Sequence, residues 1–173
     1  MEIDVEIDEF TPCLIESATG KKINTKYKHV NVKEVPNSNA GWLFNWVTPF
    51  SIKGCEVVAL YLEDGNEIQG LVAFTPIQNE NTVRVEWVEA APHNRGSSGK
   101  YIGTGAHMFS IAIQKSIDLG FGGHIYFRAK AALIDYYTRK LGARLVSDNI
   151  MQITEEDAQK LCKEYMEGSA CDE

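Results

Sequence analysis

Apolar and acidic residues alternate at the start of the chain (Ile3, Asp4, Val5, Glu6, Ile7, Asp8), the period-two pattern of a strand over residues 3–10 with one wet face. Thr11-Pro12 breaks that run. A second apolar piece, Cys13 to Ile15, meets the turn signal Ala18-Thr19-Gly20-Lys21, so the first thirty-odd residues predict irregular strands or hairpins. Asn37-Ser38-Asn39 offers caps ahead of Trp42, Leu43, Phe44 and Trp46, with Pro49 as a stop, and predicts a short aromatic helix. From residue 55 the pattern sharpens: Cys55 to Leu62, Ile68 to Ile77 and Val83 to Ala90 are joined by connections of hairpin length and predict an antiparallel meander. A Gly-rich loop follows Pro92 and leads into a helix over Ala106 to Leu119, with His107, Ser110, Gln114 and Asp118 as its polar stripe and Gly120, Gly122 and Gly123 at its end. His124 to Phe127 then predicts a strand, Lys130 to Lys140 a helix stopped by Gly142, and Leu145 to Ile153 a last strand. Thr154, in the arrangement Thr-x-x-Asp, caps a final helix whose apolar stripe is Ala158, Leu161, Cys162 and Tyr165. Hairpins first, then strand, loop, helix, strand, helix, strand, describe an α+β domain with a central mixed, mostly antiparallel sheet flanked by helices. There is no internal repeat, low-complexity tract or interdomain linker, so 1–173 is expected to be one domain.

Composition adds limits. With 173 residues, 44% hydrophobic and 24% charged, the chain is an average globular protein and not a collagen-like, disordered or coiled-coil one. The net charge of −7 argues against a nucleic-acid partner held by phosphate contacts. That total comes from the ends: residues 1–9 and 154–173 each carry −5, while 92–144 carry a local +6 from Arg95, Lys100, Lys115, Arg128, Lys130, Arg139, Lys140 and Arg144 against Asp118 and Asp135. Lys21, Lys22, Lys26, Lys28 and Lys33 are the one other basic series, most simply a solvated hairpin. Cys13, Cys55, Cys162 and Cys171 are too far apart for a zinc pattern and read as four thiols of a reducing compartment. No His/Cys/Asp/Glu cluster suggests a metal. No apolar stretch reaches the ~18 residues of a membrane span. The acidic start lacks a secretory pattern, so a cytoplasmic protein is expected.

The chemistry concentrates between Val83 and Gly105: a strand, Ala91-Pro92, a polar loop with Arg95, then Gly96, Gly99, Gly103 and Gly105 before a helix. Glycines permit close backbone approach, and the first amides of a helix favour an anion, so the segment suits a diphosphate. A flexible Gly-Ser surface loop is the bland alternative. A P-loop fails, because only two residues separate Gly96 from Gly99 and Tyr101 follows Lys100. A dinucleotide fingerprint fails, because Met108 stands where its third glycine belongs. Lys100-Tyr101-Ile102-Gly103-Thr104-Gly105, however, closely resembles the Gln/Arg-x-x-Gly-x-Gly/Ala signature of the GNAT N-acetyltransferase superfamily, with Lys100 where Gln or Arg is usual. Ala90-Ala91-Pro92-His93-Asn94-Arg95 is similar to that family's Val-x-Pro-x-x-Arg approach, and Leu133 to Ala143 to its tyrosine helix ending in glycine. The resemblance covers roughly 55–153; residues 1–54 are divergent, and 154–173 add a helix and tail.

The resemblance implies a GNAT-like fold and an acetyl-CoA-dependent N-acetyltransferase acting on a small-molecule or peptide amine, or alternatively a non-catalytic acyl-CoA-binding regulatory module. It places the pyrophosphate on the amides of Ile102, Gly103, Thr104, Gly105 and Ala106 beside Arg95, Lys100 and Tyr101, and the pantetheine along Val88, Glu89 and Ala90. Lys130 and Arg139 belong to the basic segment where three phosphate groups would dock. Glu86 is the candidate base, unless it merely pairs with Arg84, and period-two alternation sets it on the face opposite Glu89. A tyrosine of the Tyr136-Tyr137 pair is the candidate acid toward the CoA sulfur, Tyr137 preferred by spacing, while aromatic packing accounts for at least one of them. Trp42, Phe44 and Trp46 line an acceptor pocket or pack a short helix, and His107 is solvated or packed, not catalytic. The final strand could pair across a homodimer. The acidic ends would attract a cationic amine if they lie near the acceptor mouth.

Overall fold

The meander read from residues 55–90 forms the centre of the sheet: β3 (Glu56–Leu62), β4 (Ile68–Ile77) and β5 (Thr82–Ala90) pair antiparallel in sequence order. The computed structural model describes residues 2–7 and 13–167, with side chains as far as 163. Beyond β3 the sheet continues through the hairpin of β2 (Lys22–His29) and β1 (Cys13–Glu16) to the two-residue β6 (Tyr101–Ile102). On the other side β7 (Ile125–Arg128) runs parallel to β5, followed by β9 (Ile150–Ile153) and β8 (Arg144–Ser147), which gives the order β6-β1-β2-β3-β4-β5-β7-β9-β8 among the described residues. The sheet is mixed and mostly antiparallel, as the element order implies. Among the described residues three α-helices complete it: α1 (Thr104–Asp118), α2 (Ile134–Leu141) and α3 (Glu155–Glu167).

Both faces of the sheet are covered, by different means. On one, Phe109 of α1, Phe127 of β7 and Tyr137 of α2 meet at ring separations of 5.0 to 6.2 Å, joined by Ala158 and Leu161 of α3. On the other, no helix but the chain over residues 30–55 packs Trp46 edge-on to Trp87, 5.5 Å between centroids. The aromatic segment there is not the expected helix. It runs through turns and bends to a 3-10 turn at Thr48–Ser51 that includes Pro49, because the Leu43 and Phe44 amides donate to the Glu89 carboxylate (2.7 and 3.2 Å) and not to one another's turn.

Other expectations also change. The last strand is a hairpin: Asp148 takes the left-handed conformation (φ 46°) that tight turns need, so β9 pairs with β7 and the edge open to a second copy is β8, with Leu145 and Val146 exposed. His107 leaves the polar stripe and is buried against β2, its Nε2 2.9 Å from Thr25 Oγ1. The N-terminal alternation is real, with Ile3, Val5 and Ile7 buried and Glu2, Asp4 and Glu6 exposed, but residues 2–7 make a single bridge, Ile3 to Ala129, instead of a ladder. Thr11-Pro12 and Cys171 lie outside the described residues. Cys13 is disulfide-bonded, which corrects the reading of four thiols, and Cys55 and Cys162 are free. Among the described residues no helix is long and apolar enough to cross a membrane.

The cap of α3 has a pH consequence. Thr154 Oγ1 accepts from the Asp157 amide (3.2 Å), and the buried Asp157 carboxylate accepts from Arg144 Nε (2.7 Å) and from the Thr154 hydroxyl (2.9 Å). The Arg144 guanidinium first, and the Thr154 hydroxyl with it, hold the Asp157 carboxyl below the ordinary aspartate range. The folded-state value is the lower one, so this stabilisation is complete above about pH 4, the unfolded value, and fades as pH falls below it. Thermal unfolding from pH 7 to 3 is expected to show a steeper loss for the wild type than for Asp157→Asn; parallel curves would refute the assignment.

Candidate functional site

Parallel pairing between β5 and β7 covers only Val83–Val85 against Ile125–Phe127. At the next residue β5 carries a bulge: Phe74 faces Val85 while Ala73 faces Trp87, which leaves Glu86 as the extra residue. A bulge bends its strand and strengthens the twist, and beyond it the two strands part. α1 starts beside this opening. Gly103 precedes it at φ 103°, a conformation that L side chains rarely adopt, and the first intrahelical bond is His107 N to Gly103 O (3.1 Å). The amides of Thr104, Gly105 and Ala106 therefore have no partner within the helix. Thr104 Oγ1 is buried with no hydrogen-bond partner among the described residues.

The opening is divided in two. A cavity of about 210 Å³ lies toward Leu43, Phe44, Val88, Glu89 and Ala90, and an open groove of about 940 Å³ toward Ser17, Ser97, Leu133, Tyr136 and Lys140. Asp4, Val5 and Glu6 form a wall of both. This segment is held by main-chain bonds: Ile3 N donates to Arg128 O (2.8 Å) and Lys130 N to Ile3 O (3.0 Å). The Tyr137 hydroxyl donates to Val5 O (2.8 Å), while the Tyr136 hydroxyl accepts from Ile7 N (2.6 Å) and donates to Ile7 O (3.1 Å). Glu6 O approaches α1 so closely that a Cβ on Gly105 would fall 2.0 Å from it.

Glu89 is the buried carboxylate at the cavity, beside the exposed Asp4 and Glu6, and it is saturated. Oε1 accepts from Phe44 N (3.2 Å) and Trp46 Nε1 (2.8 Å), and Oε2 from Leu43 N (2.7 Å) and the Arg95 guanidinium. Two carboxylate oxygens offer about four lone-pair sites, so none remains for a substrate proton. Glu86 lies elsewhere. It pairs with Arg84 Nε and accepts from Thr75 Oγ1 (2.9 Å), and it lines neither cavity.

No known family description matches the sequence, and no curated protein matches it either. Solved structures do match. A GNAT family acetyltransferase from Elizabethkingia anophelis with acetyl-CoA bound superposes with TM-score 0.53 at 13% identity, over 75% of this chain and 97% of that one. The Bacillus subtilis acetyltransferase in complex with CoA gives 0.51 at 15%, over 72% and 79%. An acyl-CoA N-acyltransferase from Pseudomonas aeruginosa gives 0.50 at 17%, over 75% and 97%. The fold is that of the GNAT acetyltransferases.

On this GNAT fold the residues singled out in the sequence separate. Val88, Glu89, Ala90, Arg95, Tyr101, Thr104 and Gly105 line the smaller cavity, and Ile102 and Tyr136 the groove. Gly103 and Ala106 are buried at the start of α1. The Ile102 amide is not open: Ser17 N donates to Lys100 O (2.9 Å), and antiparallel alternation then makes Ile102 and Ile15 the next bonded pair. Tyr101 N is taken by Asn94 Oδ1 (3.1 Å) and Lys100 N by His93 O (2.7 Å).

The Lys100 ammonium lies over the Tyr101 ring, 5.5 Å from its centroid, and Lys100, Lys130 and Arg139 line neither cavity. Lys140 lines the groove instead. Tyr137 is wholly buried, and burial pushes its hydroxyl far above the usual phenol range. Phe44 reaches the cavity, whereas Trp46 is core. The sequence reading missed Asn94, Lys140 and the wall formed by residues 4–6; only the alternation of Ile3 to Asp8 marked the last as an ordered strand.

Proposed function

We propose that this chain binds acetyl-CoA in the cleft between β5 and β7 and transfers the acetyl group to an amine. The observation that carries the reading is the parting of those strands at the Glu86 bulge beside a helix start whose first three amides have no partner within the helix and whose buried Thr104 hydroxyl has none among the described residues. Unpaired helix-start amides and their dipole suit a phosphate group. Gly103 to Ala106 would hold the pyrophosphate, with Lys140 beside it, and the free edge of Val88 to Ala90 would take the amide-bearing arm as an added strand. Bound acetyl-CoA supplies a thioester-activated acetyl group. The structures of E. anophelis and B. subtilis, which hold acetyl-CoA and CoA, support the same reading.

The acceptor amine, small-molecule or peptide, would enter past Leu43 and Phe44. It must be neutral to attack. Glu89 is saturated, Glu86 is paired with Arg84 outside the cleft, and the Asp4 and Glu6 carboxylates of the cavity wall are exposed to solvent, so the amine loses its proton to water. Turnover is therefore expected to rise about tenfold per pH unit up to the acceptor's own pKa; a plateau well below that value would reveal a base in the protein. Glu86→Gln should change turnover less than about threefold, and Tyr137→Phe should slow it about tenfold or more if its hydroxyl protonates the leaving sulfur.

The alternative is acyl-CoA binding without transfer, favoured by the engagement of both carboxylates. Calorimetric titration with acetyl-CoA and CoA, combined with thiol release over an amine panel, separates the readings. Binding with turnover supports the transferase, binding without turnover the module, and no binding refutes both.

A further inference from the structure

Residues 2–7 do more than extend the sheet. Resting on the cofactor reading above, we propose that residues 2–7 are an intrasteric segment: they occupy the acetyl-CoA cleft and must withdraw before the cofactor enters. The segment uses the groups that a ligand there would use. It adds to the edge of β7 beyond its pairing with β5, through Arg128 O and Lys130 N. Its Val5 and Ile7 main chain engages the hydroxyls of Tyr137, a core side chain of α2, and Tyr136, which lines the groove. The Glu6 carbonyl lies against Gly105, in the second position of α1, where the unpaired amides begin.

Its charge matches as well. Asp4 and Glu6 point outward along the walls of both cavities, with Asp4 Oδ2 4.0 Å from Lys130 Nζ and Lys140 lining the same groove. An acidic strand thus stands in the basic part of an acidic protein, where phosphates would otherwise bring the negative charge.

The attachment lies outside the sheet ladder. Its apolar anchors, Ile3, Val5 and Ile7, reach the main core, its polar ones are the five bonds above and Asn149 Nδ2 donating to Glu2 (2.6 Å), and its sheet pairing is one bridge, so withdrawal leaves the nine-stranded ladder intact among the described residues. Displacement would uncover the Tyr137 hydroxyl and free the space beside Thr104. Removing a competing docked state raises apparent affinity by the inverse of the open fraction.

The test is calorimetric titration of acetyl-CoA into the full chain and into Val5→Asp and Ile7→Asp. The variants are expected to bind about tenfold more tightly, the factor for a segment docked ~90% of the time. Equal affinity in all three would overturn the inference and leave the cofactor site standing. Absence of binding in all three would overturn both. Should the variants fail to fold, amide exchange of the wild type decides. Saturating acetyl-CoA should abolish protection at Ile3 and Lys130, and protection retained at saturation would overturn the inference.

Discussion

Replacement of Glu89 by alanine is expected to lower stability by about 3–5 kcal/mol, the cost of stranding the partners of a buried, hydrogen-bonded charge. For a domain of this size that corresponds to a fall in Tm of roughly 10–15 °C. The carboxylate is 4% exposed and is the sole described anchor of the Leu43 and Phe44 amides and of the Trp46 indole N–H. Without it the chain over residues 30–55 loses three of its hydrogen bonds to the sheet, keeping Val30 N to Val57 O and the packing of Trp46 on Trp87, and Trp46 loses its polar partner while remaining in the core. Arg95 is partly solvated and contributes less to the loss. Thermal unfolding of the variant checks this: a fall below about 5 °C would mean that packing of Trp46 on Trp87, and not the Glu89 hub, holds that layer.

The second large effect belongs to Gly105. A Cβ there would fall 2.0 Å from Glu6 O and 3.0 Å from Val5 Cγ2, and a branched side chain would fill the space in front of the first α1 amides. Gly105→Val is therefore expected to weaken acetyl-CoA binding at least about 100-fold, or about 2.7 kcal/mol. Overpacking against residues 5 and 6 should cost a further 1–3 kcal/mol or so of stability. Calorimetry on the folded variant reads the first effect and denaturant unfolding the second. Binding within fivefold of the wild type would move the phosphate site away from α1.

What the sequence revealed follows the range of the forces involved. The β4 boundaries, Ile68–Ile77, and the cap at Thr154 are local consequences of alternation, turn residues and capping, and they agree with the structure. The helix expected after Asn39 does not form, because its amides bond to a carboxylate some 45 residues later in the chain, a competition that no local pattern displays.

The same limit shaped the site. Strict alternation sets Glu86 and Glu89 on opposite faces, but the bulge removes one step of the alternation, so both turn to the face covered by residues 30–55. Glu86 then finds Arg84 and Thr75, and Glu89 takes the cavity. The glycine signature falls at the start of α1, two residues earlier than periodicity placed the helix, but of the amides it named that of Ile102 is bonded across to Ile15. The charge pattern acquires a location from the structure: Asp4 and Glu6 from the acidic N-terminus stand in the cleft itself, while α3 packs its Ala158 and Leu161 into the core on the face shared with α1.

The central claim is that the opening between β5 and β7 receives acetyl-CoA. Its most direct test is the amide NMR spectrum of the full chain during titration with acetyl-CoA. Saturable shifts at Gly103 to Ala106 and at Val88 to Ala90, with smaller changes on the β2 to β3 side of the sheet, are the expected result. A spectrum unchanged at these residues at millimolar cofactor would contradict the account.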